Sequence, residues 1–200
     1  MQEPAEPRAV GKPRWLVWSW CRGDALPICS GVSGVVVEES QHADLLSTLM
    51  HFPEAALRQQ LWLGHRPYLA RLGTLPVAVG WSATGEVALL GGRVRLHVPP
   101  NSQYLYGFVT HPDWRGRGIY PQLLQAILRT EEQEYFWIIH LLENRSSERG
   151  IHKAGFRVAG RLSFLPTGEL GLMPPAGESE RAHVAAQLLG FPLLEEAEES

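Results

Sequence analysis

Between Tyr104 and Pro121 the chain reads YLYGFVTHPDWRGRGIYP, and the expected order of structural elements follows from this segment. Its first seven residues are mostly aromatic or β-branched and predict a buried strand. Gly116 and Gly118 come next, and a helix is expected to open at Pro121, because apolar residues follow it at helical spacing. The segment therefore predicts a strand, a glycine-rich turn and a helix in direct succession.

The glycine-rich turn has the chemistry of an anion site. Gly116 and Gly118 let the backbone approach a ligand closely and expose successive N–H groups. The following helix leaves its first amides unpaired and places the positive end of its dipole there. Arg115 and Arg117 add charge for a phosphate-bearing ligand. A flexible turn with two solvated arginines is the alternative interpretation, since short glycine motifs often match by chance.

A second motif begins at Asn144, after the apolar segment 135–142 (YFWIIHLL), which predicts a core strand. The motif reads NRSS from Asn144 and KAGF at 153–156. A short helix is expected between these two sequences and ends at Gly155, since glycine suits the left-handed position after a helix. Asn144 is a favourable N-cap for that helix with or without a ligand.

Together the two motifs resemble the GCN5-related N-acetyltransferases, the GNAT superfamily. Motif A of that family reads Arg/Gln-x-x-Gly-x-Gly/Ala at a strand-to-helix turn, and the matching residues here are RGRGIY at 115–120. The family's Asn-x-x-Ala/Ser helix ends in a Lys-x-Gly-Phe turn, and the spacing from Asn144 to Phe156 matches it. The resemblance covers about residues 34–166. It implies an α/β (α+β) fold, with a mixed, mostly antiparallel sheet flanked by helices.

The resemblance also implies that acetyl-CoA, or another acyl-CoA, is the cofactor. In the family, the strand before motif A pairs through its main chain with the pantetheine arm, as an added strand would. The amides of the turn hold the pyrophosphate, and an asparagine side chain lies near the pantetheine arm. The positions that correspond in this chain are Phe108, Val109, Thr110, Arg115, Gly116, Arg117, Gly118, Ile119, Tyr120, Asn144 and Ser147.

Two positions depart from the family's pattern. Tyr120 replaces the third small residue of motif A, so its ring must lie beside the cofactor or under the helix. Ile151 stands where many members carry the tyrosine that protonates the departing CoA thiolate, and isoleucine has no proton to give. We expect Ile151→Tyr to raise kcat if that protonation limits the rate and the larger ring fits. We expect Gly118→Val to weaken acyl-CoA binding and to leave folding largely intact.

The implied activity is transfer of an acetyl or other acyl group from CoA to an amine of a small molecule or a protein. The catalytic residue is not assigned. Tyr106, Glu143 and His152 are candidates for proton transfer, weighed against solvated or packing roles. His140, in the apolar strand, is expected to be a core histidine rather than a catalytic one. The missing tyrosine leaves a second hypothesis open, a non-catalytic acyl-CoA-binding sensor or scaffold with the same fold.

Three regions are expected along the chain. Residues 1–33 form an N-terminal arm in which 14–20 (RWLVWSW) predicts a strand that covers a sheet edge. Residues 34–172 form the acyltransferase domain, with two helices, an antiparallel meander and the two motifs in that order. Residues 173–200 contain an amphipathic helix near 180–189 and an acidic end.

The composition argues against several other classes of function. Of 21 acidic and 18 basic residues, six acids and one base lie in 178–200, so the rest of the chain carries a charge of only +2, too little for a nucleic-acid footprint. No apolar run approaches the ~18 residues that span a bilayer. Cys21 and Cys29 suggest no disulfide framework, and the chain lacks metal-ligand spacings. We expect a cytoplasmic protein, alone or as a homodimer, that needs no nucleic acid, membrane or metal.

Overall fold

The computed structural model describes residues 11–177 and 179–194. An eight-stranded, mostly antiparallel sheet forms its centre, and helices pack on both faces, so the expected α/β (α+β) fold is confirmed. The acidic end at 195–200 and the first ten residues of the expected arm lie outside the described residues. Within the described ranges, no helix is long and apolar enough to cross a membrane.

The described chain contains ten strands and five α-helices. The strands are β1 (Trp15–Cys21), β2 (Val35–Glu39), β3 (Arg66–Leu72), β4 (Leu75–Ala83), β5 (Gly85–Leu89), β6 (Val94–Val98), β7 (Ser102–Thr110), β8 (Tyr135–Leu141), β9 (Arg157–Phe164) and β10 (Leu170–Met173). The helices are α1 (Ala43–Met50), α2 (Glu54–Trp62), α3 (Ile119–Thr130), α4 (Arg145–Lys153) and α5 (Ser179–Leu189).

The large sheet has the order β10-β9-β1-β8-β7-β4-β3-β2, and β5 and β6 form a separate two-stranded sheet. The antiparallel meander is confirmed, since β3 pairs with β4 and β5 pairs with β6 as hairpins. Each neighbouring pair of the large sheet is antiparallel except β7 and β8, which run parallel. The parallel pair lies at the middle of the sheet, and the predicted glycine-rich turn follows the C-terminal end of β7.

The first strand lies inside the sheet and not at its edge, so this part of the prediction is wrong. β1 pairs antiparallel with β8 on one side and with β9 on the other. Leu16, Trp18 and Trp20 enter the core that α3 covers, and Trp15 and Val17 enter the core that α5 covers. A strand that is buried on both faces needs apolar side chains on both, which the alternation in RWLVWSW provides.

The C-terminal helix is part of the same packed unit. α5 covers β9 and β10, and its Ala185 and Leu189 are buried with Val17 of β1. Arg181 ties the helix to the N-terminal segment, because its guanidinium donates to the Asp24 carboxylate at 3.0 Å. The helix predicted near 180–189 is confirmed.

Helix α3 is fixed on the sheet by its apolar face and by a carboxylate that follows its last turn. The apolar face consists of Ile119, Leu123, Leu124, Ile127 and Leu128, all buried at helical spacing. Glu131 follows the helix and is buried beneath β3 and β4. Its carboxylate accepts hydrogen bonds from the Tyr68 hydroxyl at 2.5 Å and from the Arg66 guanidinium at 2.8 Å. The apolar face and the Glu131 hydrogen bonds together hold α3 on the sheet.

Candidate functional site

The central parallel strands separate along their length. β7 and β8 pair only at Ser102–Tyr104 with Tyr135–Trp137. Beyond these residues β7 stays paired with β4, and β8 stays paired with β1. Among the described residues, no strand pairs with the side of 106–110 that faces β8. A chain with amide groups could pair with this open main-chain edge.

A β-bulge changes the direction of β7 at the point where its edge toward β8 is no longer paired. The register of the β4–β7 pairing shifts between Val79 and Trp81, and Gly107 adopts a positive φ of 63° at the same place. The Phe108 ring then lies directly over Gly80, where an added Cβ would overlap it. The bulge therefore turns the Phe108 side chain toward β4 and α3 and leaves the backbone of the following residues at the open edge.

The glycine-rich turn follows at the end of β7. A 3-10 turn at Pro112–Trp114 leads into it, and Arg115 donates from Nε to the Thr110 carbonyl at 3.1 Å. Arg117 lies over the Trp114 ring, with its guanidinium carbon 4.9 Å from the ring centroid. Gly118 is the N-cap of α3 with φ 80°, a conformation that glycine adopts without strain. Both arginines thus have a neighbouring partner, while their side chains remain exposed.

A groove of about 430 Å³ connects the turn with the open edge of β7. Its lining includes three basic side chains, Arg115, Arg149 and Lys153, and no acidic side chain among the described residues. The α3 N-terminus adds partial positive charge to the same space. The groove is lined by Phe108, Val109, Thr110, Trp114, Arg115, Gly116, Gly118, Ile119, Tyr120, Pro121, Asn144, Ser146, Ser147, Arg149, Gly150 and Lys153. Its charge and its free amides suit a phosphate-bearing ligand.

Most of the predicted cofactor-binding residues meet in this groove. Of the eleven positions named from the sequence, the structure leaves only Arg117 out of the lining. Asn144 caps α4, because its Oδ1 accepts from the Ser147 N–H at 3.1 Å. The cap uses the oxygen alone, so the amide nitrogen keeps its donors for a ligand. Capping and ligand binding are compatible at Asn144.

Tyr120 occupies space that a glycine of the facing helix provides. Its ring packs 5.0 Å from the Phe108 ring, measured between centroids, and lies against Gly150 of α4. An added Cβ at Gly150 would overlap the Tyr120 ring. Burial raises the pKa of the Tyr120 hydroxyl, which stays protonated. The large residue in motif A is therefore accommodated between α3 and α4, at the wall of the groove.

The pairing of Tyr120 with Gly150 can be tested with a double variant. We expect Gly150→Ala to lower the free energy of unfolding by about 1–3 kcal/mol, the usual cost of overpacking. We expect Tyr120→Ala to remove the clash, so that Gly150→Ala becomes neutral or stabilising in that background, since alanine is the better helix former. Urea unfolding of the two single variants and the double variant measures the coupling. Additive losses would show that the two residues do not share this space.

Segment 22–34 crosses over the start of α3 and the end of α4. The side-chain amide of Gln125 on α3 donates to the Pro27 carbonyl at 2.7 Å. The Cys29 thiol donates to the Lys153 carbonyl at 3.2 Å. At Gly118 an added Cβ would overlap the Ser30 carbonyl oxygen. The expectation that Gly118→Val leaves folding intact is therefore wrong, since backbone packs directly on this glycine.

Three positions that bear on proton transfer do not line the groove. Ile151 is fully buried in the core, so a tyrosine at this position has no room. We therefore expect no gain in kcat from Ile151→Tyr. His152 is exposed and packs edge-on against Trp18, with the ring centroids 6.5 Å apart. Glu143 is exposed in the loop before α4, and it is not among the described residues that line the groove.

His140 has the partners of a structural histidine. Its Nε2 accepts from the Trp18 indole N–H at 2.9 Å, and its Nδ1 lies 2.7 Å from the Leu141 carbonyl. Burial lowers the pKa of His140, which favours the neutral ring with one proton on Nδ1. Both ring nitrogens thus have partners within the protein, but the side chain is half-buried and lines a surface cavity, so His140 is not a core residue.

Tyr106 lines a second cavity, of about 390 Å³, which we call the aromatic cavity. Its hydroxyl lies 2.5 Å from Nδ1 of His65 and 3.3 Å from Oε1 of Gln60. No motif in the sequence marks His65 or Gln60, which reach Tyr106 from just before β3 and from α2. The aromatic cavity is lined by Met50, Phe52, Ala56, Leu57, Gln60, His65, Trp81, Val87, Ala88, Tyr104, Tyr106, Gly107, Phe108 and Val109.

The two polar partners have opposite pKa shifts. Burial lowers the pKa of His65, although a hydrogen bond with the Glu86 backbone raises it in part. Burial, together with the neighbouring Tyr104, raises the pKa of Tyr106. At neutral pH the pair therefore consists of a neutral imidazole and a protonated phenol. Such a pair can accept one proton and pass on another.

The fold matches solved structures of acetyltransferases. An acetyltransferase of the GNAT family from Colwellia psychrerythraea aligns with a TM-score of 0.57 at 14% identity over 78% of this chain and 56% of its own. A GCN5-related N-acetyltransferase from Sphaerobacter thermophilus aligns with a TM-score of 0.51 at 15% identity over 75% of this chain and 50% of its own. One from Kribbella flavida aligns with a TM-score of 0.50 at 14% identity over 75% and 56%.

These alignments establish the fold of the chain. The chain has the GNAT fold, as its two motifs predicted. It spans about half of the length of these three structures. Neither a scan of protein-family models nor a search of curated protein sequences finds a match.

Proposed function

We propose that the protein is an acyltransferase that transfers an acetyl or other acyl group from CoA to an amine. The observation that carries the proposal is the basic groove, which joins the open edge of β7 to the α3 N-terminus. An acyl-CoA has both features that the groove complements, an extended amide-bearing arm and a pyrophosphate. When bound it supplies an activated thioester.

The described residues suggest how each part would be held. The main chain of Phe108–Thr110 offers unpaired edge groups to the amides of the pantetheine arm. Backbone N–H groups from Gly116 to Tyr120 would donate to the phosphates at the N-terminus of α3, where the helix dipole favours negative charge. Arg149 and Lys153 add charge from α4. Asn144 offers its amide nitrogen between these two ends.

Binding is tested first, because it does not depend on knowing the acceptor. We expect acetyl-CoA to raise the Tm of the protein, since a ligand that binds only the folded state stabilises it. We expect the double variant Arg149→Gln/Lys153→Gln to bind acetyl-CoA about tenfold more weakly by calorimetry, the equivalent of one charge-assisted hydrogen bond. Arg93→Gln, an exposed arginine outside the groove, is the matched control and should bind normally. A Tm unchanged at saturating acetyl-CoA would contradict the proposal.

A second function is favoured by one specific observation. Ile151 is buried where many relatives of this fold place a proton-donating tyrosine, so a non-catalytic acyl-CoA sensor remains a competing hypothesis. Release of the free CoA thiol, measured with a panel of amines, separates the two. Turnover with any amine supports the transferase, and tight binding of acetyl-CoA without turnover supports the sensor.

A further inference from the structure

We infer that the aromatic cavity binds the acceptor, a small primary amine with an aromatic or branched-alkyl body, and that Tyr106, backed by His65, removes its proton. This inference rests on the proposed acyl transfer. It adds the chemical class of the acceptor and the route of the proton.

The position of the cavity is the first argument. Phe108 and Val109 line both the basic groove and the aromatic cavity. Both spaces therefore open on the same segment of β7, after the bulge at Gly107. A thioester held along this segment would face the groove on one side and the cavity on the other. An amine in the cavity would then lie within reach of the acyl carbon.

The lining decides the class of amine. The cavity's apolar lining includes Met50, Phe52 and Phe108. The described residues of the lining include no aspartate, glutamate, lysine or arginine. His65 is the one lining residue among them that can gain a positive charge by protonation. Such a cavity rewards burial of an aromatic or branched-alkyl body. It penalises a second ammonium group, because a buried charge without a partner is costly.

The polar groups are concentrated at one wall. The Trp81 indole N–H is already directed to the Met50 sulfur at 3.2 Å. Gln60 and His65 both lie at the Tyr106 hydroxyl, at 3.3 Å and 2.5 Å. One cluster, centred on that hydroxyl, therefore offers the hydrogen bonds that an amine nitrogen needs in an otherwise apolar space.

The contact between His65 and the Tyr106 hydroxyl indicates the direction in which a proton would move from the amine. Nδ1 of His65 lies 2.5 Å from the Tyr106 hydroxyl, so a neutral imidazole with its proton on Nε2 presents an acceptor there. As the amine nitrogen bonds to the acyl carbon and the carbon–sulfur bond breaks, the nitrogen's proton passes to the Tyr106 oxygen. The Tyr106 proton passes to Nδ1 of His65. The thiolate then takes up a proton along the same path, which restores both side chains.

The acceptor class is tested by comparing amines at saturating acetyl-CoA. We expect kcat/KM for phenethylamine to exceed that for cadaverine by at least about tenfold, since cadaverine must bury or strand a second charge. Ala88→Arg places a charge at an exposed position of the cavity lining and should remove this preference. Thr84→Arg, exposed and outside the lining, is its matched control. Equal or greater turnover of cadaverine would overturn the assignment of the acceptor class.

The proton route is tested by two variants with an uncharged arylamine such as p-anisidine. We expect Tyr106→Phe to lower kcat by about 10²-fold while the Kd for acetyl-CoA stays unchanged. In the native enzyme, kcat at saturating amine should fall as the pH drops through the titration of His65, and this acid limb should disappear in His65→Gln. A role in packing alone would lower the rate and preserve the limb. An unchanged kcat in Tyr106→Phe, or a limb that persists in His65→Gln, would overturn the route.

Failure of this inference is distinguishable from failure of the proposed function. Binding of acetyl-CoA is measured separately, and turnover of polar amines with none of phenethylamine would reject the acceptor class while the acyl transfer stands. If acetyl-CoA does not bind, the Tm is measured with phenethylamine alone. A rise that Ala88→Arg abolishes and Thr84→Arg keeps supports the cavity as an amine site, and no rise rejects it.

Discussion

Replacing Glu131 with alanine is expected to lower the free energy of unfolding by about 1–3 kcal/mol, the cost of leaving a buried hydrogen-bonding group without its partner. The Glu131 side chain is almost completely buried, and it accepts from the Tyr68 hydroxyl at 2.5 Å and from Arg66 at 2.8 Å. The Ser82 hydroxyl lies 3.3 Å from the same carboxylate. When the Glu131 carboxylate is removed, the buried Tyr68 hydroxyl has lost its acceptor.

Urea unfolding measures this loss, and two further variants locate its cause. Glu132→Ala, at the exposed neighbouring position, should change the free energy of unfolding by less than about 0.5 kcal/mol. Glu131→Gln keeps an acceptor for Tyr68 but loses the charge opposite Arg66, so it should cost less than the alanine variant. A loss below about 1 kcal/mol in Glu131→Ala would mean that the network is solvated and does not hold α3 on the sheet.

Replacing Gly118 with alanine is expected to lower the free energy of unfolding by about 2–5 kcal/mol. A positive φ costs a non-glycine residue roughly 1–2 kcal/mol, and overlap with backbone adds about 1–3 kcal/mol. The φ of Gly118 is 80°, and the overlapping atom is the Ser30 carbonyl oxygen, which cannot change rotamer. Relief of the overlap would shift the first amides of α3, so acetyl-CoA should also bind more weakly in the fraction that folds.

Gly116 provides the matched comparison for that variant. Its φ is 75°, almost the same as that of Gly118, but an added Cβ meets no atom within 4 Å. Gly116→Ala should therefore cost only the conformational strain of about 1–2 kcal/mol. Thermal and urea unfolding of the two variants separate strain from overlap. Equal losses at the two positions would show that segment 22–34 moves away from α3 at little cost.

The fold could be predicted where the relevant contacts are local in the sequence. The strand, glycine turn and helix from Tyr104 to Pro121 fold next to one another, and the spacing of apolar residues marks each of them. The position of β1 could not be predicted from its own residues, since β8 and β9 supply its neighbours. The apolar character of both faces was the available signal, and it is typical of a strand at the centre of a sheet.

The candidate site divides in the same way. The groove residues were predicted because two short motifs carry them, each within a few positions of the chain. The partners of Tyr106 were not predicted, because Gln60 and His65 lie 46 and 41 positions away and neither belongs to a motif. The burial of Ile151 could be predicted, since it is the only large apolar side chain of α4 and so marks the side of the helix that faces the core.

The central position of β1 has a consequence for the timing of folding during synthesis. Trp18 hydrogen-bonds to His140 across 122 positions of sequence, so β1 is made long before its neighbours. Contacts this distant slow folding, because a long loop must close before they contribute stability. Until β8 and β9 have left the ribosome, Trp15, Trp18 and Trp20 remain exposed on an unpaired strand. The nascent chain therefore exposes an apolar strand while the residues between β1 and β9 are synthesised, and such a segment is prone to aggregation until its partners arrive.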